Sequence, residues 1–482
     1  MAVLPELILL GTGLLFLAFL SVGSGESSTL SMVWLGFLGT LGAAVSVVFL
    51  RDLELERVLG GILQHDPSFL YVRLCLYVLS GILILVTGYA KRIDERRKPE
   101  LCFFLLWMTL LASLLMLSRH FLVSYICLFG MAALNSLLAA SPFQRKEEGK
   151  SALFYWFQAA LCFTLGFGVL VILASQMDDL GYDSVRKFFA AQESFQVLPL
   201  ILVLLLPFWV VSGIFPFHFA TIELNHGAVW SIQAAQSLLI QGVGTLALFK
   251  VVVLVFYSIG AALSMVILYG FSAVGFLGGL AGGLGAISQK DGKRFAANFV
   301  LMQWSICLIP LGNPNAFSLS AAIFYFLSAA VALAVCFVVW GGLLESRGSD
   351  TLAGLRGARD RCLLECVLLL AALVSLAGMP PFVGFPANLN MVSALSEQKE
   401  PIVLLLYVIV LVLQLVVVAR MLGLIFFAES DDSDGMLGAM NGVGTKLRFA
   451  LVSLIAPLLL LGLFWEGVWA ELLERSASFI NF

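Results

Sequence analysis

The sequence predicts an all-α polytopic membrane protein of about fourteen transmembrane helices, some of them discontinuous, and three observations lead there. The chain is 61% hydrophobic and only 12% charged, with a mean hydropathy of +1.03, far from the balance of a soluble domain. Its apolar residues fall in long runs of about 20, the length an α-helix needs to cross a hydrocarbon core of ~30 Å. Proline interrupts these runs in mid-span at three places, at Pro207 to Pro216, at Pro380-Pro381 and at Pro386. A membrane β-barrel would need short alternating segments, so helices that satisfy their own backbone groups are the reading that fits.

In chain order the predicted spans are 3–21, 30–50, 69–90, 101–118, 120–140, 152–175, 195–219, 228–257, 259–287, 296–312, 317–344, 362–396, 401–428 and 447–471. The first, within Met1 to Leu20, has no basic leading region and contains Glu6, so an uncleaved span is expected in place of a signal peptide. The connections after the third, fifth, ninth, eleventh and thirteenth spans carry Lys91, Arg92, Arg96, Arg97 and Lys98; Arg145, Lys146 and Lys150; Lys290, Lys293 and Arg294; Arg347, Arg356, Arg359 and Arg361; and Lys446 and Arg448. All are odd-numbered, while an even-numbered connection holds Asp178, Asp179 and Asp183. The positive-inside rule then places both termini on the outer side. Residues 345–361 and the Asp-rich stretch 429–436 read as polar, Gly-containing connections, and no soluble domain is predicted.

Several chemistries have no footprint. The eight cysteines are scattered through apolar stretches with no C-x-x-C pair, as small core residues are. There is no H-E-x-x-H and no Gly-rich nucleotide loop after a strand, and a net charge of -3 offers nothing to nucleic acid.

The two halves contain the same kind of element. Leu206-Pro207-Phe208-Trp209 leads through Ser212-Gly213 to Pro216-Phe217-His218; Ser375-Leu376-Ala377-Gly378 leads through Pro380-Pro381 to Gly384-Phe385-Pro386-Ala387-Asn388. Proline removes a donor and frees a carbonyl, tolerable at membrane depth only where protein or water satisfies it. Paired broken helices point to an inverted-repeat transporter with an ion path between the repeats; a pair of packing kinks is the plainer alternative.

The segment Pro207 to Gly227, with Pro216-Phe217-His218, Glu223 and Gly227-Ala228, resembles the "PFH-x-W-x-P-D-x-x-x-GAP" stretch of the proton-translocating antiporter-like membrane subunits of respiratory complex I. "SLAGMPPFVGF" (Ser375 to Phe385) is similar to that family's "SLAGIPPxxGF", and "QKDGKRFAA" (Gln289 to Ala297) to its "xQxxxKRLLA" loop. "LPELILL" (Leu4 to Leu10), the pattern from His65-Asp66 through Ala90 and the absence of a long lateral carboxy-terminal helix make the resemblance closest to subunit N. It implies two inverted five-helix repeats, at 101–257 and 296–428, with N-terminal helices at 1–100, a connecting helix at 258–295 and a last loop and helix at 429–482. It also implies an energy-transducing membrane such as the bacterial inner membrane. Partner membrane subunits are expected, with FMN, iron–sulfur clusters and quinone in those partners and no redox site in this chain.

The resemblance further implies a hydrated polar axis carried by a Glu in the fifth span and lysines in the seventh, eighth and twelfth. This sequence departs at each position. No acidic residue lies between Phe121 and Gln144; the seventh-span position falls on Val211, the eighth on Gln241 and the twelfth on Asn388. Glutamine and asparagine can hold water but do not change charge near neutral pH, whereas a buried lysine can. A relay impaired at these sites is the expectation.

Other candidates each have two readings. His218 either carries a proton beside the break or is a hydrogen-bonded structural residue; Glu223 matches the family's Asp and anchors the inner loop more simply than it moves protons. Lys250 either snorkels from the eighth span or belongs to a relay. Gln233, Gln236, Gln303 and Gln414 read as interhelical hydrogen-bond groups, and Arg420 as an interfacial anchor. Three functions remain open: a subunit of a complex I-type NADH:quinone oxidoreductase or a ferredoxin- or hydrogenase-driven relative; a subunit of a cation/proton antiporter; or a structural scaffold in such a complex.

Overall fold

The structure, a computed structural model, describes residues 3–22, 26–51, 56–90, 93–140, 146–192, 195–257, 261–312, 314–397, 401–428 and 455–480. Lys91, Arg92, Arg145, Lys446, Arg448 and the stretch 429–436 therefore lie outside the described residues. The chain is helical almost throughout. Among the described residues, ten helices are long and apolar enough to cross a membrane, eleven if one bent pair is a single span, and three shorter apolar helices accompany them. Most predicted spans correspond to one helix each.

The first group is α1 (Leu4–Val22), α2 (Glu26–Phe49), α3 (Leu70–Tyr89) and α4 (Lys98–Leu117). Between α2 and α3 lies a hairpin, β1 (Glu56–Val58) against β2 (Leu63–His65), which the apolar-run analysis missed because it is only three residues per strand. The next group is α5 (Phe121–Ala140), α6 (Lys146–Ala174), the short amphipathic α7 (Tyr182–Gln192), α8 (Leu198–Ser212) and α9 (His218–Gly227). A long span follows from Trp230 to Phe256. It comprises α10 (Trp230–Ala235), a π-helical stretch Gln236–Gly242, α11 (Val243–Val251) and a second π stretch Val252–Phe256.

The remainder is α12 (Ala261–Ser288), α13 (Gly292–Ile306), α14 (Ala316–Arg347), the single turn α15 (Ala358–Arg361), α16 (Leu363–Leu376), α17 (Gly384–Glu397) and α18 (Pro401–Phe426). The chain closes with α19 (Ile455–Leu463) and α20 (Trp465–Ile480). Of the predicted span 447–471 only 455–471 lies within the described residues, and there the helix axis turns by 80° between α19 and α20. The polar side chains of Glu471 and Arg475 explain the turn, because they leave the apolar layer to pair with Arg51 and the Pro67 carbonyl.

Local chemistry sets the helix ends. The Asp291 side chain accepts from the Arg294 amide to start α13, Asn315 does the same from Ser318 for α14, and Gly348 ends α14 at φ 64°. Gly275, Gly278 and Gly282 of α12 face α13 so closely that a Cβ on Gly282 would stand 2.6 Å from the Asn298 carbonyl oxygen and the Met302 amide. Small residues spaced by three and four along one face let two membrane helices approach to backbone contact.

Among the described residues, the connections sort into two sets. At one end β2 bridges to Ser118, His120 bridges to Gly181, and Arg51, Ser68 and Tyr71 bond α20. At the other, Asp291 bridges to Thr351, Arg294 pairs with Glu223, Arg359 reaches the Phe426 carbonyl, and Arg420 donates to the carbonyls of Ala286 and Gln289. The second set includes the basic connections after the ninth and eleventh predicted spans. Arg420 is thus an anchor at that end, as expected.

Candidate functional site: two broken helices and a buried neutral file

The first break lies between α8 and α9. Pro207 is inside α8, whose helix continues to Ser212, so it is not itself the break; the Leu204 carbonyl beside it accepts from the Tyr125 hydroxyl at 2.6 Å. The helix stops at Gly213, held at φ 62°, and the chain crosses Phe215-Pro216 through a cis peptide to His218 at the start of α9. Trp209 Nε1 donates to the Phe215 carbonyl at 2.8 Å. The His218 ring stacks on Phe215 and touches Phe219.

The second break repeats these features. α16 stops at Leu376, Gly378 takes φ 72°, a cis peptide joins Pro380 to Pro381, and α17 begins at Gly384. Pro386 lies in the first turn of α17 and not in the break, where a proline's missing amide has no helical partner to lose. Gln414 donates to the Leu376 carbonyl, Ser375 Oγ accepts from the Gly384 amide at 3.2 Å, and the Val383 amide reaches the Leu458 carbonyl of α19 at 2.9 Å.

Between the breaks, buried polar side chains run from α6 to α17. Asn135 of α5 lies beside the Tyr155 hydroxyl of α6, and Gln236 Nε2 donates to the Asn135 carbonyl at 3.3 Å. The π stretch holds Gln236 and Gln241, five residues apart and both buried. Trp304 Nε1 bonds the Ser237 carbonyl at 2.9 Å, and next to it Tyr325 donates to Gln303 Oε1 at 2.7 Å and faces Gln414. The file ends where Tyr407 donates to Asn388 Oδ1 at 2.6 Å and Asn388 Nδ2 donates to the Gly384 carbonyl at 2.9 Å. Every member is buried and none is ionisable near neutral pH. Gln236 Oε1, Gln241 Nε2, Ser237 Oγ and Gln303 Nε2 have no hydrogen-bond partner among the described residues. Buried polar atoms of that kind are the usual hosts of ordered water.

A group of buried charges stands apart from the file, beside the first set of connections. Glu6 accepts from Arg73 at 2.7 Å, from the Tyr77 hydroxyl at 2.9 Å and from Ser113; Arg73 also meets His65 Nδ1 at 3.3 Å. Arg119 reaches Asp66 at 3.4 Å, and burial lowers its guanidinium from the ordinary value against the opposing charges of Asp66 and Asp183. Lys250 belongs here. Its Nζ donates to the carbonyls of Met116 at 2.5 Å and Ser118 at 3.1 Å, and lies 5.4 Å from the Phe69 ring centre. It is buried and does not snorkel; it caps the C-terminus of α4, where a cation is favoured. Its partners, the Met116 and Ser118 carbonyls and the Phe69 ring, lie outside the file.

Of the sequence-predicted residues, Gln241 and Asn388 sit in the file together with Gln236, Gln303 and Gln414. His218 stands at the first break, Lys250 lies outside the file, and Glu223 pairs with Arg294 at 3.0 Å on the basic end. Gln233 is engaged with the Lys293 carbonyl there. Asn135, Tyr155, Tyr325 and Tyr407 were missed: tyrosine counts as apolar in a hydropathy reading, and Asn135 was passed over in the search for an acid.

Residues 118–414 match the model of the NADH:quinone oxidoreductase/Mrp antiporter transmembrane family. The chain belongs to that family. It is 24% identical over 503 residues to NADH-quinone oxidoreductase subunit N 2 of Sorangium cellulosum, covering 99% of this chain and 97% of the relative. Its fold is that of a chain in the Mrp complex from Dietzia sp. (TM-score 0.83, 18% identity, 99% and 97% coverage) and of one in respiratory complex I from Thermus thermophilus (TM-score 0.77, 19% identity, 97% and 99% coverage). The family's members are integral membrane subunits, and this chain is an integral membrane protein.

Proposed function

We propose that the protein is an N-type membrane-arm subunit of a complex I-type NADH:quinone oxidoreductase, and that its own proton relay is impaired. The observation that carries the proposal is the file: at Gln241 and Asn388, and throughout α5 and at Val211, neutral residues stand where the family resemblance implies lysines and a glutamate. Such a file holds water but offers no group that changes charge in a cycle. An ion at mid-membrane costs ~2.5–3.5 kcal/mol or more, and a chain that no longer pumps has no reason to bear that cost.

In this reading α1, the α8–α9 pair, the α16–α17 pair and α19 join the ten long helices as spans, giving fourteen with both termini outside. The segregation of loop contacts supports that parity. Residues 101–257 and 296–428 are the inverted repeats, flanked by 1–100, 258–295 and 429–482. FMN, iron–sulfur clusters and quinone reside in partner subunits, and this chain serves mainly as a scaffold between them. Gln241 and Asn388 remain on the path of water, while Lys250, Glu223 and His218 shape the helices around it. Mild detergent extraction of native membranes followed by mass spectrometry tests the assignment: co-purified flavin and iron–sulfur subunits support it, whereas co-purified antiporter subunits alone would replace it with a cation/proton antiporter assembly.

A further inference from the structure

The two ends of the file are not equivalent. Toward the first break, Gln236 Oε1, Ser237 Oγ, Gln241 Nε2 and Thr221 Oγ1 are buried with no partner among the described residues. At the second break the hydrogen bonds close on one another. Asn388 uses its oxygen on Tyr407 and its nitrogen on Gly384, and the Leu376 carbonyl is taken by Gln414, whose own Oε1 is the one atom of this group left over and faces the Tyr325 hydroxyl. The Asn388 amide also fills the space beside Gly378, where an added Cβ would collide with it. Asn390, whose Nδ2 has no partner, lies about 200° round α17 from Asn388 and so does not reopen the site.

We propose that Tyr407 and Asn388 form a seal that keeps water out of the second break, while the first half of the file holds a water cluster between α5, the π stretch and α9. The ligand of the first half is water, held by neutral amides and hydroxyls. Tyr407 is the positioning residue: by donating to Oδ1 it fixes the amide so that Nδ2 points at the Gly384 carbonyl. Removing its hydroxyl leaves Oδ1 buried without a donor, a state that favours the entry of water. This inference rests on the reading of the file as a water-holding element.

Hydroxyl-radical footprinting of the native assembly in its membrane tests it, because radicals generated from internal water label the side chains beside that water. Met131, one turn before Asn135, and Met391, one turn after Asn388, are both 0% exposed, so bulk solvent does not distinguish them. The seal predicts several-fold faster oxidation of Met131 than of Met391, and a several-fold rise at Met391 alone in Tyr407→Phe. Equal fast labelling of both methionines in the native protein overturns the seal and leaves the water-holding file standing. Slow labelling of both removes the water-holding reading and the seal with it. An assembled Tyr407→Phe protein in which Met391 stays dark also overturns it, and if that variant does not assemble, the native comparison decides.

Discussion

Replacing Glu6 by alanine should cripple the N-terminal helix layer. The Glu6 and Arg73 side chains are 3% and 1% exposed and meet at 2.7 Å. Deleting the carboxylate also strips partners from Tyr77 and Ser113, and strands a guanidinium that α1, α3 and α4 enclose. Removing one partner of a buried pair costs ~3–5 kcal/mol, which at about 1.4 kcal/mol per tenfold is two to three and a half orders of magnitude in the folded population. Glu6→Gln keeps two neutral hydrogen bonds and should fall between. The double variant Glu6→Leu with Arg73→Met removes both charges together and should recover most of the loss, since a well-packed apolar pair often equals a buried ion pair. The assay is abundance of the chain in membranes together with its melting temperature in mild detergent. Wild-type abundance and melting for Glu6→Ala would refute the claim that this pair docks α1, and a double variant as damaged as the single would show that the loss is of packing and not of charge compensation.

Three further outcomes follow from the same geometry. Lys250→Met should leave the Met116 and Ser118 carbonyls without their donor and destabilise by ~1–3 kcal/mol, with Lys250→Arg milder; a change in proton transport at unchanged melting temperature would instead make Lys250 a carrier. Gly384→Ala should block assembly, because its Cβ would run into the Ser375 backbone, and a normally assembled variant would mean that α16 and α17 are spaced more widely than described. For Asp291, burial raises the carboxyl, but the bonds from His226 and the Arg294 amide and the charges of His226 and Lys293 outweigh it and hold the group below its usual value of 3.8. Its contribution is therefore fully present above that value and is lost as pH falls through and below it. Asp291→Ala should cost ~0.5–2 kcal/mol as a lost helix cap and flatten the acid limb of a melting-temperature profile, which would stay unchanged if the cap were idle.

Much of this fold is legible in the sequence because the bilayer imposes one length and one polarity on every span. Apolar runs locate the helices, and Gly213 and Gly378 with the prolines after them mark both breaks. What the runs do not reveal depends on three-dimensional partners. Pro207 looks like a break yet sits in a helix that continues to Ser212. Lys250 reads as a relay or a snorkelling cation until the carbonyls ending α4 are seen around it. The file itself was half visible: its glutamines stand out from apolar runs, but Tyr325 and Tyr407 hide among aromatic residues, and only their hydroxyls complete it. The α19–α20 turn was invisible because the anchors of α20, Arg51 and Pro67, are distant in the chain.

The claim at the centre of this account is that the neutral file does not move protons on its own. The direct measurement is the number of protons translocated per electron pair by the purified assembly in sealed liposomes, with the native chain and with a Gln241→Leu, Asn388→Leu chain that assembles normally. The account predicts the same ratio for both. A ratio lower by one proton in the variant would mean that this file still pumps, and the account would be wrong.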